Sequence, residues 1–482
     1  MTLYGNLSFT PTGGISGHVF RKELLILGGL SGTLGIAINA LIADQGSLQV
    51  TANNIANANT PGYTREQANL AEQPPVQIGN LLFGEGVVLQ NIQSIRDAVL
   101  ELRIQQENQI QQGLSSFIDG AKQVQALFNE TQGVGLENVI SQFFSSFQAL
   151  STNPTSIPLR QGVLSAAQSL VDAFHQTSAS LQQIQKGLDQ TVTQDVGQVN
   201  LLASEVARLN GQISAAQVSG QSAGALIDQR TQLVNQLANL VGLNITNNES
   251  GTYTISTENG TPLVVGVQSY ALQAQLDPAS GTQHVYFNGN DITSTITRGA
   301  LGGTLQVRDQ MVPSIQSSLD TLAANIVNSV NAQHAAGYDL SGNPGGSFFT
   351  PLTGTAGAAT QISLAVTDPS QIAAGSDGTL GSNGNALALA AIENQPIVSG
   401  QTATDFYAGM VNNIGSQVSF ADSRQQAESA LILQLKNQLN SVSGVSIDQE
   451  AANLVMFQQA YEASAKVVSV ISQLMQTTIN MA

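Results

Sequence analysis

Gly220-Gln-Ser-Ala-Gly224 matches the G-x-S-x-G pattern that presents a nucleophilic serine in hydrolases, and Asp291 and His334 follow in an order a catalytic triad permits. That motif needs a strand leading into the serine. Here Arg208 to Val218 has helical spacing, so the five residues read as a loop between helices. Asp339, Ser341, Asn343 and Gly345 resemble the opening of a calcium loop, but Pro344 replaces the turn glycine and Thr350 stands where a bidentate glutamate belongs. The segment reads as a turn. His18, His175, His284 and His334 have no metal-ligand spacing, cysteine is absent, and no Walker lysine motif occurs. These residues predict no catalytic, cofactor or metal site, and a protein that is not an enzyme.

The composition narrows the function further. Only 10% of the 482 residues are charged, and the 32 acidic against 15 basic residues give a net charge of −17, which repels a phosphate backbone and argues against nucleic-acid binding. Tryptophan is absent and aromatic residues total 5%, so the expected core is Leu, Ile, Val and Ala rather than large rings. The uncharged stretch Leu24 to Ala43 has the length of a membrane span, yet it contains Gly28, Gly29, Gly32, Gly35 and Asn39. Its apolar register continues through Asp44, which a span has no reason to keep, so it reads as an amphipathic helix without membrane insertion.

Leu34, Leu41, Leu48 and Ile55 recur every seven residues, with Ile38 and Ala52 on the same stripe, as a coiled-coil seam requires. The helix is predicted to end near Asn57, because Asn53, Asn54 and Asn57 suit a helix C-terminus, Pro61 holds Thr60 extended, and Gly62 suits positive φ ahead of Tyr63. Tyr63 to about Val88 reads as a linker with short strands. From about Ile92 to Val241 the pattern is helical: Ile110, Leu114, Phe117, Ala121, Val124 and Phe128 alternate by four and three, and Val192, Val199, Val206 and Ile213 by seven. Thr252 to Thr257, Pro262 to Val265 and Val285 to Phe287 are β-type runs. Ser446 and Gln449 have capping-box spacing, and Ile447, Leu454, Tyr461, Val468 and Met475 form a last heptad stripe, with Ala451, Ala465 and Ile479 in its second position. Two nearly uncharged striped helices, one at each end, call for a partner: each other, another subunit, or both.

Asn53-Asn-Ile-Ala-Asn-Ala-Asn-Thr-Pro-Gly-Tyr63 and its heptad helix resemble the N-terminal signature of the bacterial flagellar axial proteins, the rod, hook and hook-associated proteins, and Glu450 to Lys466 resembles their C-terminal signature. Tyr63-Thr-Arg65, Asp228-Gln-Arg230, Leu301-Gly-Gly303 with Arg308-Asp309, and Asn331 to Leu340 with Phe348-Phe349 are similar to the hook-associated protein 1 branch. The likeness runs from about Leu27 to Ala482. Residues 1–27 do not match and suggest an added tail or a start assigned too early.

The resemblance implies a mainly α fold with a small β domain: long antiparallel helices in a bundle, paired N- and C-terminal coiled-coil helices, and an inserted β-rich outer domain. The expected domains are a terminal helical one (28–75 plus 441–482), a central bundle (76–242 plus 306–440, irregular over 337–400) and the β region (243–305). It implies a structural adapter at the hook-filament junction, exported through the flagellar type III apparatus to the cell exterior. Its implied partners are copies of itself, the hook protein, a second junction protein (hook-associated protein 3), and an export chaperone at the C-terminal helix. Leu34, Ile38, Leu41, Leu48, Ala52 and Ile55, with Ile447, Leu454, Tyr461, Val468 and Met475, are the expected assembly interface. The alternatives are a hook or distal-rod subunit, or a secreted adhesin-like surface protein.

Overall fold

The computed structural model describes residues 16–78, 80–128, 135–219, 223–248 and 251–481, with side chains from residue 29 onward except those of Ile78 and Met481. Ser222 and most of the 1–27 segment therefore lie outside the described residues. The chain is mainly helical with small antiparallel sheets. Its elements are α1 (Ser16–Asn57), β1 (Glu66–Glu72), β2 (Val76–Ile78), β3 (Leu81–Phe83), β4 (Val87–Ser94), α2 (Ala98–Leu127), α3 (Leu136–Thr152), α4 (Ile157–Val218) and α5 (Gly224–Leu240). There follow β5 (Leu243–Asn247), β6 (Tyr253–Thr257), β7 (Pro262–Val265), β8 (Gln268–Ser269), β9 (Gln273–Leu276), β10 (Gln283–Phe287) and β11 (Asn290–Asp291). The last part comprises α6 (Gly299–Gln306), α7 (Val312–Ala335), the short α8 (Ala358–Gln361) and α9 (Gly384–Ala391), α10 (Ala403–Ser443) and α11 (Ile447–Met481). Among the described residues no helix is long and apolar enough to cross a membrane.

The chain forms two compact units. One gathers the described residues through Glu101 with Gln212–Gln232 and the chain from Lys436 onward; the other holds Leu102–Gly211 and Leu233–Leu435. In the first unit, α1 packs on α11 and on the β1–β4 pair. The segment after Tyr63 carries the expected short strands, joined in two antiparallel pairs, β1 with β4 and β2 with β3.

The second unit has two apolar cores. The heptad residues Val192, Val199, Val206 and Ile213 are fully buried; the first three, on α4, share a core with α5 and with two antiparallel sheets, ordered β5-β6-β7-β8 and β11-β10-β9. The strands stop at Asp291, and Leu301-Gly-Gly303 is helical, in α6. A Cβ on Gly303 would lie 2.0 Å from the Gly113 carbonyl oxygen, so only glycine lets α6 approach the α2 backbone this closely.

The larger core corrects the aliphatic expectation. Phe143, Phe144, Phe147, Phe348 and Phe349 are all fully buried and form one ring cluster with centroid separations of 5.0 to 5.9 Å. A low aromatic total does not say where the rings go. Here α3 supplies three at helical spacing and the loop after α7 supplies two, concentrating the largest apolar areas in one place.

Buried charge is sparse and answered. Between α6 and α7 the helix opens into one π turn, Val307–Met311, which carries the fully buried Arg308. Its guanidinium donates to Asp189 on α4 (2.8 Å), the Gln283 carbonyl on β10 (2.7 Å) and Asp309 (2.6 and 2.9 Å). Arg160 at the start of α4 donates to the carbonyls of Pro154 (2.6 Å) and Ile372 (2.6 Å), anchoring the irregular 337–400 segment. Asp195 is an exception: one carboxylate oxygen is buried without a partner, and burial pushes its carboxyl from its ordinary 3.8 to about 6. The folded state binds this proton more tightly than the unfolded chain, so its stability should decline as pH rises from about 4 to about 6. Asp195→Asn should raise stability at pH 7 by about 2 kcal/mol and change it little below pH 4, read from denaturant unfolding at the two pH values.

Candidate functional site

The residues that looked chemical in the sequence do not converge. Asp291 meets His284, not His334: His284 Nδ1 lies 2.7 Å from Asp291 and its Nε2 3.1 Å from Ser280 Oγ. This Ser-His-Asp chain lacks acyl-transfer machinery, because the neighbouring backbone donors are taken. The Ser280 N–H goes to the Asp277 carboxylate, that of Gly281 to the Asp277 carbonyl, that of Thr282 to Ser280 Oγ and that of Gln283 to Asp189. His334 is fully buried, donating through Nδ1 to the Gly346 carbonyl (2.7 Å) and accepting from the Ala373 N–H (2.9 Å). Burial lowers its pKa and both nitrogens are occupied, so it fastens a loop. The Asp339 carboxylate accepts the N–H groups of Ser341 and Asn343, each at 2.8 Å, and caps its own turn.

The residues that do converge lie where the two ends of the chain meet. Asn57 closes α1 by donating to the Asn53 carbonyl (3.0 Å), and the Thr60 and Tyr63 N–H groups go to the carbonyls of Asn57 (2.9 Å) and Thr60 (3.1 Å). Gly62 has φ +80°, and a Cβ there would also strike the Gln232 amide, which donates to the Pro61 carbonyl at 2.7 Å. Asn54 is buried and fully used. Its Oδ1 accepts from the Glu66 N–H (2.9 Å) and the Tyr63 hydroxyl (2.8 Å), while its Nδ2 donates to the Glu66 carbonyl (2.7 Å) and Glu450 Oε2 (3.2 Å). Glu450, in the first turn of α11, is 2% exposed and also accepts from Arg65 Nε at 2.7 Å.

A second carboxylate completes the knot. Asp228 on α5 accepts from the Thr64 N–H (3.2 Å) and hydroxyl (3.0 Å) and from Arg96, which also reaches Glu101 at 3.3 Å. Burial, opposed by Arg96, raises the carboxyls of Asp228 and Glu101. Burial, reinforced by Glu66, Asp228 and Glu450, pushes the Tyr63 phenol up, so it stays a donor to Asn54. Every acceptor faces a donor, which makes the site a mechanical lock rather than a reactive centre.

The paired helices need one correction in register. Ser464 donates to Asp44, while Asn54, further along α1, meets Glu450, earlier in α11, so the helices run antiparallel. Leu34, Leu41, Leu48 and Ile55 are half-buried, but Ile38 (42% exposed) and Ala52 face out; the buried positions are Ala37, Ala43, Ser47, Val50, Thr51 and Asn54. On α11, Leu454, Val468 and Met475 are half-buried, and Tyr461 and Ile447 are exposed. The second seam position holds Phe457, Ser464 and Ile471, not Ala451, Ala465 and Ile479, which are exposed. Small side chains on α1 let it lie close against both its neighbours, so the packed stripe follows them rather than the leucines. Met456, Val467, Val470 and Leu474 remain about half exposed as an apolar ridge on α11.

The family models fall on these parts. A model described as the flagellar hook-associated protein FlgK helical domain matches residues 121–349, one for the flagella basal body rod protein matches 34–64, and one for the flagellar basal body rod FlgEFG protein C-terminal matches 437–481. The flagellar hook-associated protein 1 of Salmonella typhimurium is 26% identical, covering 94% of this chain and all of the relative; that of Bacillus subtilis is 28% identical, covering 93% and 97%. The chain belongs to the flagellar hook-associated protein 1 family. Its fold is also similar to the flagellar hook junction protein FlgK of Burkholderia pseudomallei, with a TM-score of 0.64 at 20% identity over 71% of this chain and all of that one.

The two rod-type matches bracket the knot, since Asn54 and Tyr63 lie in one and Glu450 in the other. Arg65, Arg96, Asp228 and Glu450 had no role assigned from sequence. Their signal was charge itself, placed inside or beside each family motif of a chain that is only 10% charged. Removing one partner strands a buried carboxylate or guanidinium, so Glu450→Ala and Arg65→Ala should each cost about 3 kcal/mol. The α11 segment should then be cut by protease at far lower concentration, while α3 and α4 keep their protection.

Proposed function

We infer that this chain is a structural component of the bacterial flagellum, an adapter at the hook-filament junction that assembles on the distal hook and allows the filament to attach. The observation that carries this reading is the knot joining the two termini, in a chain whose middle matches the hook-associated helical domain. The ends are locked into one rigid element, and that element still exposes Ile38 and Ile42 on α1 and the α11 ridge. Apolar surface of this kind on a low-charge helix pair supports contact with further copies, and repeated head-to-tail contacts propagate a tube or ring rather than closing a dimer. The terminal helices, 28–75 plus 441–482, are the proposed assembly domain.

The proposed partners are copies of the chain, the hook protein on one side and the second junction protein, hook-associated protein 3, on the other. Before assembly the α11 ridge needs a cover, which suits a flagellar export chaperone, and the route out is the flagellar type III apparatus. A hook or rod subunit is the weaker reading, because the rod-type models match only the ends.

Deleting the gene in its own host should leave hooks without filaments, seen by electron microscopy, and should release unpolymerised filament protein into the medium. Intact filaments with normal swimming would overturn the adapter role.

A further inference from the structure

Asparagine followed by glycine occurs four times in the sequence, at Asn210-Gly211, Asn259-Gly260, Asn288-Gly289 and Asn383-Gly384. The step is chemically fragile, because glycine has no Cβ to shield its nitrogen from the amide carbon of the preceding side chain. The fold protects three of the four. Asn210 is fully buried within α4, where Nδ2 donates to the carbonyls of Tyr253 (2.9 Å) and Gly266 (2.7 Å) and Oδ1 accepts the Tyr253 N–H (3.2 Å). Asn259 donates to Thr295 Oγ1 at 2.9 Å and accepts from Thr261 at 3.3 Å, while the Gly260 N–H is held by the Thr257 carbonyl at 2.9 Å. Asn383 donates to the Ser151 carbonyl at 2.8 Å, and Gly384 opens α9.

Asn288-Gly289 is left open. The two residues form the loop between β10 and β11 with φ +48° and +80°, the two-residue hairpin turn that this dipeptide favours. The ladder pairs Phe287 with Asn290 and Tyr286 with Asp291, so it uses neither of them. Both are exposed, and among the described residues neither the Asn288 amide nor the Gly289 N–H has a hydrogen-bond partner. A Cβ built on Gly289 would meet nothing within 4 Å, and β11 is only two residues long, so the turn can open at the loss of those ladder pairs alone.

We propose that Asn288 is a modification site, where the chain converts its own side-chain amide to a carboxylate through a cyclic imide. The Gly289 nitrogen loses its proton to solvent and bonds to Asn288 Cγ, and Nδ2 departs as ammonia. Water then opens the ring. Cleavage of the Cγ–N bond gives aspartate, whereas cleavage between the Asn288 carbonyl carbon and that nitrogen gives isoaspartate, whose main chain runs through Cβ and Cγ. Either product adds a negative charge, and isoaspartate also lengthens the main chain of a two-residue loop by one atom. The longer loop no longer fits the turn that pairs Phe287 with Asn290, so β11 detaches and leaves β10 as an unpaired edge of its sheet. Asp291 moves with it, and His284 loses the carboxylate 2.7 Å from its Nδ1. The change is set by time and pH rather than by a ligand, and no step of it rests on the assembly reading.

Full-length protein kept folded in mildly alkaline buffer should be sampled over time and mapped by mass spectrometry, with isoaspartate detected by an isoaspartyl methyltransferase. Asn288 should convert at least roughly tenfold faster than Asn210, Asn259 or Asn383, each of which must first release amide hydrogen bonds. In urea the four rates should converge, because only the fold separates them. The rate at Asn288 should rise with pH, since the attacking nitrogen must lose its proton, and isoaspartate should appear together with aspartate. Asn288→Gln, whose longer side chain must close a larger ring, should suppress the product. Conversion of Asn288 no faster than that of the other three in the folded protein overturns the proposal, as does aspartate formed there without isoaspartate.

Discussion

Burying the carboxylate of Glu450 is the constraint on which the terminal unit depends. A buried charge must be answered by donors, and the donors come from distant parts of the chain: Arg65 from the residue before β1 and Asn54 from the last turn of α1. Asn54 in turn accepts the Tyr63 hydroxyl and pairs with both backbone groups of Glu66, so one side chain fixes the helix end, the turn and the first strand together. Through Thr64 the same turn reaches Asp228 and Arg96. None of these groups can move without stranding another.

That economy suits a chain with few charges. Weakly charged helical surfaces allow many copies to approach closely, but they give little information about where each helix should sit. The few charges present supply it. Glu450 and Asp228 set the knot, and Arg308 ties the π turn to α4 and β10. In each place a desolvated charge accepts only one arrangement of partners, whereas an apolar contact tolerates several.

Much of this architecture was legible in the residues alone. Heptad spacing located α1, the α4 core positions Val192, Val199 and Val206, and α11, because helical periodicity is a local property that burial preserves. The end of α1 at Asn57 followed from asparagine, proline and glycine chemistry, and the start of α11 from Ser446, whose hydroxyl accepts the Gln449 N–H at 3.5 Å. The turn motif was legible as geometry, but not as one half of a lock.

What the tertiary structure decided was pairing. Sequence periodicity marks a stripe but leaves the second seam position open between residues three and four apart. The choice of Ala37 and Thr51 over Ile38 and Ala52, and of Ser464 over Ala465, depends on how closely two backbones approach. The clustering of Phe143, Phe144 and Phe147 with Phe348 and Phe349, and the closure of Asn54 and Arg65 on Glu450, join residues far apart in the chain. The residue types by themselves determined long, weakly charged helices built to pair, because spacing and composition are local. Which groups answered each buried charge was decided only when the chain closed on itself, because desolvation is a property of the surroundings.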